Sequence, residues 1–263
     1  MSNIRDFAAA KSEGRKIVVA TAYDATFARL LAQTPVDCLL VGDSVMMVVH
    51  GADDTLGATT EIMALHTRAV AKGAGDKFIV ADFPFLAARK GIPAALDCAA
   101  ELLRAGAHAV KVEGARGHID TIRHLVESGI PVMGHLGLQP QNVRALGGYT
   151  VQGRAAAAAQ EIREEAALLA DAGVFALVLE CVPRALAAEI TAALRIPTIG
   201  IGAGPDCDGQ VLVLQDLLGL NLQFKPRFVR HFAPGAETVQ TGVIRFAEAV
   251  RTGEFPSEAE SFA

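Results

Sequence analysis

Several things are scarce in this chain. Its four cysteines, Cys38, Cys98, Cys181 and Cys207, are widely spaced and form no C-x-x-C pair, so neither a disulfide framework nor a thiolate metal site is suggested. Cys38 and Cys181 lie in apolar runs, where a buried free thiol is the usual reading, and that suits a reducing cytoplasm. Excess positive charge is absent as well. The formal net charge is −5, which gives no support for binding nucleic acid or an anionic membrane. No uninterrupted apolar run reaches spanning length, since Asp171 and Glu180 break the best candidate. Asp6, Lys11 and Glu13 interrupt the N-terminal stretch, which therefore lacks the apolar centre of a secretory signal. A soluble protein of the cytoplasm is expected.

What is present is enough apolar material for a large core: 263 residues, 51% of them hydrophobic. Short apolar runs alternate with longer, helix-periodic, Ala-rich ones. The strand candidates are 17–21, 38–42, 78–81, 109–112, 132–134, 176–179, 198–201 and 211–214. They are nearly continuous in apolar residues, as parallel strands covered on both faces should be. Helices are expected near 25–32, 61–72, 93–105, 119–127, 157–172, 183–194 and 238–251. Pro93 and Pro183 suit first-turn positions, and Gly106 and Gly173 suit helix stops. Eight strands alternating with helices predict an α/β fold, a closed (β/α)8 barrel, over an open doubly wound sheet. No linker interrupts it, so residues 1–263 read as one catalytic domain with a polar tail at about 253–263. Two long Gly-containing connections, 44–60 and 137–154, are candidates for covering a site.

Polar residues follow the apolar runs on one side only: Asp24, Asp43 and Ser44, Asp82, Lys111 and Glu113, His135, and Glu180. In a barrel those strand ends converge on a single mouth. Carboxylates gathered there repel one another, and a divalent cation resolves the repulsion. Asp43, Asp82 and Glu113 are therefore candidate ligands, and an oxygen-only set favours Mg2+ over Zn2+. The plainer reading is three solvated loop acids. Lys111 and Glu113 share one strand face by the period-two rule, so Lys111 either holds an anionic substrate or pairs with Glu113. His135 sits between small residues that leave room for a ligand, although a lone buried histidine is more often part of the core. Glu180 ends the most apolar strand; desolvation would make it a usable general base, and an ion pair with an arginine such as Arg154 is the alternative. His50, His66, His108, His118, His124 and His231 read as surface or helix residues. The glycines of IGIGAG, 199–204, lack dinucleotide-loop spacing and read as sites of close packing.

In order along the chain stand VGDS, ADFPF, VKVEG, GHLGLQPQ, GGYTVQGR, LVLECVP, IGIGAG and DGQVLV. Together they resemble the ketopantoate hydroxymethyltransferases, from about residue 17 to the C-terminal tail. The resemblance implies an Mg2+-dependent barrel enzyme of pantothenate and coenzyme A synthesis, assembled as a large homo-oligomer, commonly a decamer. Its expected reaction moves a hydroxymethyl group from 5,10-methylenetetrahydrofolate, the co-substrate, to 3-methyl-2-oxobutanoate through a Mg-stabilised enolate. By resemblance, Asp43 and Asp82 are metal-site residues and Glu113 reaches the metal through water. Ser44 and Lys111 contact the ketoacid, His135 lines the substrate site, and Glu180 is the proton acceptor. Three departures stand outside that set: Val45-Met46 where the family usually has Leu-Gly, Gly57-Ala58 in a commonly TLPVT segment, and Gln215 where histidine is expected.

Overall fold

The computed structural model describes residues 1–222 and 225–262 and divides into two compact units, Met1–Val213 and Leu214–Ala263. All eight strands lie in the first: β1 Ile17–Thr21, β2 Cys38–Val41, β3 Phe78–Asp82, β4 Ala109–Glu113, β5 Val132–Gly137, β6 Ala176–Glu180, β7 Thr198–Ile201 and β8 Gly209–Leu212. Each pairs in parallel with the next, and β8 pairs with β1, closing the barrel.

Among the described residues, nine α-helices accompany these strands: α1 Ile4–Ser12, α2 Ala25–Ala32, α3 Val45–Val48, α4 Thr60–Gly73, α5 Ile92–Arg104, α6 Ile119–Glu127, α7 Val143–Leu146, α8 Ala156–Asp171 and α9 Arg184–Ala193. The second unit carries α10 Leu214–Leu217 and α11 Gly235–Thr252. Residues 253–262 are exposed, and Ala263 lies outside the described residues.

Period-two alternation sorts each strand between two cores. Leu39, Val41, Ile79, Ala81, Val110, Val112, Leu177 and Leu179 face the helices and form one cluster with their apolar stripes. Ile17, Val19, Cys38, Leu40, Phe78, Val80, Ala109, Met133, Ala176 and Val178 form a second cluster with Phe7 of α1. The Phe7 ring is fully buried, edge-on to Phe78 at 5.2 Å and to Phe175 at 5.1 Å between centroids. Truncating such a side chain to Ala costs about 3–5 kcal/mol.

Differences from the expected elements have local causes. α1 was not expected; it is closed by a capping box in which Asn3 accepts from Arg5 N (2.8 Å) and Asp6 accepts from Asn3 N (3.2 Å). The last strand runs 209–212 rather than 211–214, because Leu214 already begins α10. A Cβ on Gly209 would press on the backbone of Ile17, so the bare residue is what lets β8 close on β1. Pro183 is the N-cap of α9 rather than its first residue. All four cysteines are buried and free.

Candidate active site

On β3, β4, β5 and β6 the face that is apolar low in the barrel becomes polar at the C-terminal end. Val80 is followed two residues on by Asp82, Ala109 by Lys111 and then Glu113, Met133 by His135, and Val178 by Glu180. Strand register sets Asp82 beside Lys111 and Glu113 beside His135. Asp43 lies two residues past β2, and its backbone N–H donates to Asp82 Oδ2 (3.1 Å). Asp43, Asp82, Lys111, Glu113 and His135 are all buried, while the Glu180 side chain retains 16% exposure.

The ion pairs run around the mouth. Lys111 Nζ lies 3.2 Å from Asp82 Oδ1 and 3.1 Å from His135 Nδ1. His135 Nδ1 lies 3.4 Å from Glu113 Oε1, and Nε2 lies 3.1 Å from Glu180 Oε2. The salt bridge considered between Lys111 and Glu113 forms with Asp82 instead, its register neighbour. Glu180 faces His135, and no ion pair joins it to Arg154 among the described residues.

Burial, then repulsion from Asp82 and Glu113, raises the Asp43 carboxyl well above the usual carboxylate range. Burial also raises Asp82, against the pull of Lys111. Burial would raise Glu113 too, but contact with His135 outweighs it and the carboxyl is lowered. Burial and Lys111 push the His135 imidazole down, yet Glu113 and Glu180 prevail and hold it at about 9. Desolvation opposes the Lys111 charge, and the surrounding Asp82, Glu113 and Asp43 more than restore it.

Counted with every group ionised, four carboxylates would face two cationic groups, and a divalent cation would offset the excess negative charge that pushes Asp43 towards protonation. Asp82 Oδ1 and Glu113 Oε1 are buried without a hydrogen bond. Among the described residues no three carboxylate, thiol or imidazole groups form a ready metal cage. Unpartnered carboxylate oxygens of this kind are the donors that Mg2+ takes, one or two from the protein with water on its other positions.

Other expected residues sort differently. Ser44 sits at the mouth with its Oγ 2.8 Å from Tyr23 Oη. Asp24 does not join the site: it caps α2, accepting from Thr26 N (2.7 Å) and Phe27 N (2.9 Å). The two long connections meet each other through Arg144 and Asp54 (3.2 Å). A residue missed in the sequence, Gln141, reaches in from the second of them. Its Nε2 donates to Asp43 Oδ2 and Phe83 O, both at 2.8 Å, and its backbone N–H donates to Glu113 Oε2 at 3.2 Å. Nothing in composition distinguishes it from other loop amides; only its place in GHLGLQPQ was a signal. Gly137 is the other omission. At φ +93° a Cβ there would overlap the carbonyl oxygen of Glu180.

Fold and site together are those of a (β/α)8 barrel with paired acids, a buried lysine and a histidine gathered at the C-terminal ends of its strands, where enzymes of this architecture place their active sites. The family profile for ketopantoate hydroxymethyltransferase matches residues 1–258. The chain belongs to that family. It is 55% identical to the 3-methyl-2-oxobutanoate hydroxymethyltransferase of Bdellovibrio bacteriovorus, with 100% of both chains covered. The protein of the same name from Coxiella burnetii is 49% identical, over 97% of this chain and 96% of that one. Among solved structures, phosphonopyruvate hydrolase in complex with oxalate and Mg++ superposes with a TM-score of 0.62 at 14% identity, covering 99% of this chain and 93% of that one. A crystal form of 2,3-dimethylmalate lyase gives 0.62 at 17% identity, covering 100% and 89%. These two likenesses concern the fold alone.

Proposed function

We propose that this chain transfers a hydroxymethyl group from 5,10-methylenetetrahydrofolate to 3-methyl-2-oxobutanoate, giving ketopantoate for pantothenate and coenzyme A synthesis. The observation that carries the reading is the set Asp43, Asp82, Lys111, Glu113, His135 and Glu180 on one barrel mouth, in a chain of this family. Asp43 and Asp82 would hold Mg2+, with Glu113 reaching it through water. Held there, such an ion would supply Lewis-acid stabilisation of the negative charge that develops as C3 of the ketoacid loses a proton.

The remaining work belongs to the side chains. Lys111, kept cationic by the acids around it, attracts the ketoacid carboxylate, and Ser44 adds a hydroxyl contact. Glu180 takes the C3 proton. His135 Nε2, 3.1 Å from Oε2, holds that carboxylate in place at the mouth. C3 then attacks the one-carbon unit of the folate; water replaces the remaining carbon–nitrogen bond, giving the hydroxymethyl group and releasing tetrahydrofolate. Holding C3 between the base and the folate is the entropic part of catalysis.

Self-association belongs to the same proposal: a cytoplasmic homo-oligomer, a decamer by family resemblance. In support, α11 exposes Val239, Val243, Ile244, Phe246 and Val250, an apolar load unusual for a free surface. No helix among the described residues is long and apolar enough to cross a membrane. The deciding assay supplies 3-methyl-2-oxobutanoate, methylenetetrahydrofolate and Mg2+ and follows ketopantoate. Cleavage of a branched malate without folate turnover would instead indicate a carbon–carbon lyase.

A further inference from the structure

Two histidines outside the mouth form a cluster that the reaction does not use. His50 lies just beyond α3 and is exposed; His66 lies on the second turn of α4 and is half-buried. Their Nε2 atoms face each other at 2.9 Å, with ring planes 83° apart. His66 Nδ1 lies 2.6 Å from the carbonyl oxygen of Tyr23. A carbonyl only accepts, so Nδ1 carries the hydrogen, and His66 turns its Nε2 lone pair towards His50, whose Nε2–H donates to it. That is the arrangement of a metal-ligating histidine, whose second nitrogen donates to a carbonyl and fixes ring and tautomer.

We propose that His50 and His66 form a two-imidazole site for a borderline divalent cation of the Zn2+ class, distinct from the carboxylate cluster. Imidazole nitrogen selects Zn2+ or Cu2+ and is a poor ligand for Mg2+, so the two sites discriminate by ligand chemistry. With metal–nitrogen distances of ~2.0–2.1 Å and tetrahedral angles, the two nitrogens stand roughly 3.3 Å apart. Reaching that from 2.9 Å takes a reorientation of the exposed His50 ring and a shift of its proton to Nδ1, so that its Nε2 lone pair also faces the ion. Water completes the coordination, since among the described residues no third acid, thiol or imidazole joins the pair. The site also touches the mouth indirectly. Tyr23 accepts from His66 through its backbone and meets Ser44 through its hydroxyl at 2.8 Å, and α3 begins directly after Ser44. An ion on both rings would tie α3 to α4 and restrain the segment that carries Ser44.

The binding test needs no turnover, so it stands apart from the proposed reaction. The full-length protein, in excess Mg2+, is titrated with Zn2+ by calorimetry and with Co2+ by visible absorption, which reports nitrogen coordination directly. One Zn2+ per chain is expected, bound about tenfold or more weakly in both His50→Ala and His66→Gln. His50→Ala is the clean variant because its ring is exposed, and circular dichroism confirms the fold of each. No Zn2+ binding to the wild type, or equal binding by wild type and folded His50→Ala, would overturn the proposal and leave the contact as a simple hydrogen bond.

Discussion

Replacing Glu180 by Gln removes one negative charge and almost no volume, which makes it the sharpest probe of the proposed chemistry. The side chain is 16% exposed and meets the protein through one oxygen, Oε2, at 3.1 Å from His135 Nε2. A glutamine amide fills the same space beside that nitrogen, so the fold holds. What disappears is the proton acceptor. A positioned general base is worth ~10²–10⁴-fold, about 3–5 kcal/mol of barrier. Lys111 and the aspartates are untouched, so ketoacid binding should change little and the loss should fall on turnover. The step is isolated by incubating 3-methyl-2-oxobutanoate with protein and Mg2+ in heavy water, without folate, and following deuterium at C3 by NMR. The wild type should exchange that hydrogen; Glu180→Gln should exchange it at least ~10²-fold more slowly. Undiminished exchange, with fold and ketoacid binding intact, would refute Glu180 as the base.

Chelation should abolish turnover and added Mg2+ should restore it, while Asp43→Asn should weaken Mg2+ binding, read by calorimetry, about tenfold or more. Full activity in metal-free protein would reject the ligand assignment. Gly137→Ala should destabilise the chain by about 2–4 kcal/mol in denaturant unfolding, combining left-handed strain with overlap on Glu180 O. It should also slow the exchange reaction, because relief of that overlap moves the end of β6. His108, stacked on Phe78 and accepting from Ile79 N at 3.0 Å, is held below its ordinary pKa by burial. A depressed histidine leaves the unfolded chain binding more protons once pH falls below about 6.5, so acidification should cost stability there. NMR titration of His108 checks the sign, and a value above 6.5 would contradict it. Light scattering should give a mass well above a dimer, and a monomer at micromolar concentration would remove the assembly proposal.

How much of this was legible in the sequence depends on how the information is carried. Period-two alternation carried most of the site. Lys111 and Glu113 could be placed on one face by counting, and the same count continued downward reaches Ala109, which packs inside the barrel with Phe7. Burial on both faces made the strands continuous apolar runs, so their existence was plain and their ends were not. β3, β4 and β6 each run one residue further than their apolar runs because Asp82, Glu113 and Glu180 still pair in the sheet. Asp24 failed for the opposite reason. It follows β1 as Asp43 follows β2, but its carboxylate is consumed by two backbone N–H groups of α2. Asp43 stands one residue further from its helix, so Ser44 takes the N-cap position of α3 and the Asp43 carboxylate is not drawn into the cap. α1 escaped notice because just two of its residues, Phe7 and Ala10, are buried, too few for a periodic signal; its capping box, Asn3 with Asp6, was the readable sign.

Gln141 shows where sequence reading stops. Its value lies in one side chain meeting Asp43 and Phe83 while its own backbone meets Glu113, and that requires the second long connection to fold over the mouth. Loop conformation is set by contacts distant in the chain, here Arg144 with Asp54 and Gln152 N with Cys181 O at 2.9 Å, rather than by local propensity. The consequence can be measured. Gln141→Ala removes an N–H donor from the most destabilised carboxylate of the cluster and leaves no new volume in the barrel. If Gln141 orients Asp43 for the ion, Mg2+ affinity should fall about tenfold, the scale typical of a group that supports a metal ligand, with thermal stability nearly unchanged. A variant that unfolds at the same temperature and binds Mg2+ as tightly as wild type would show that the amide only closes the loop.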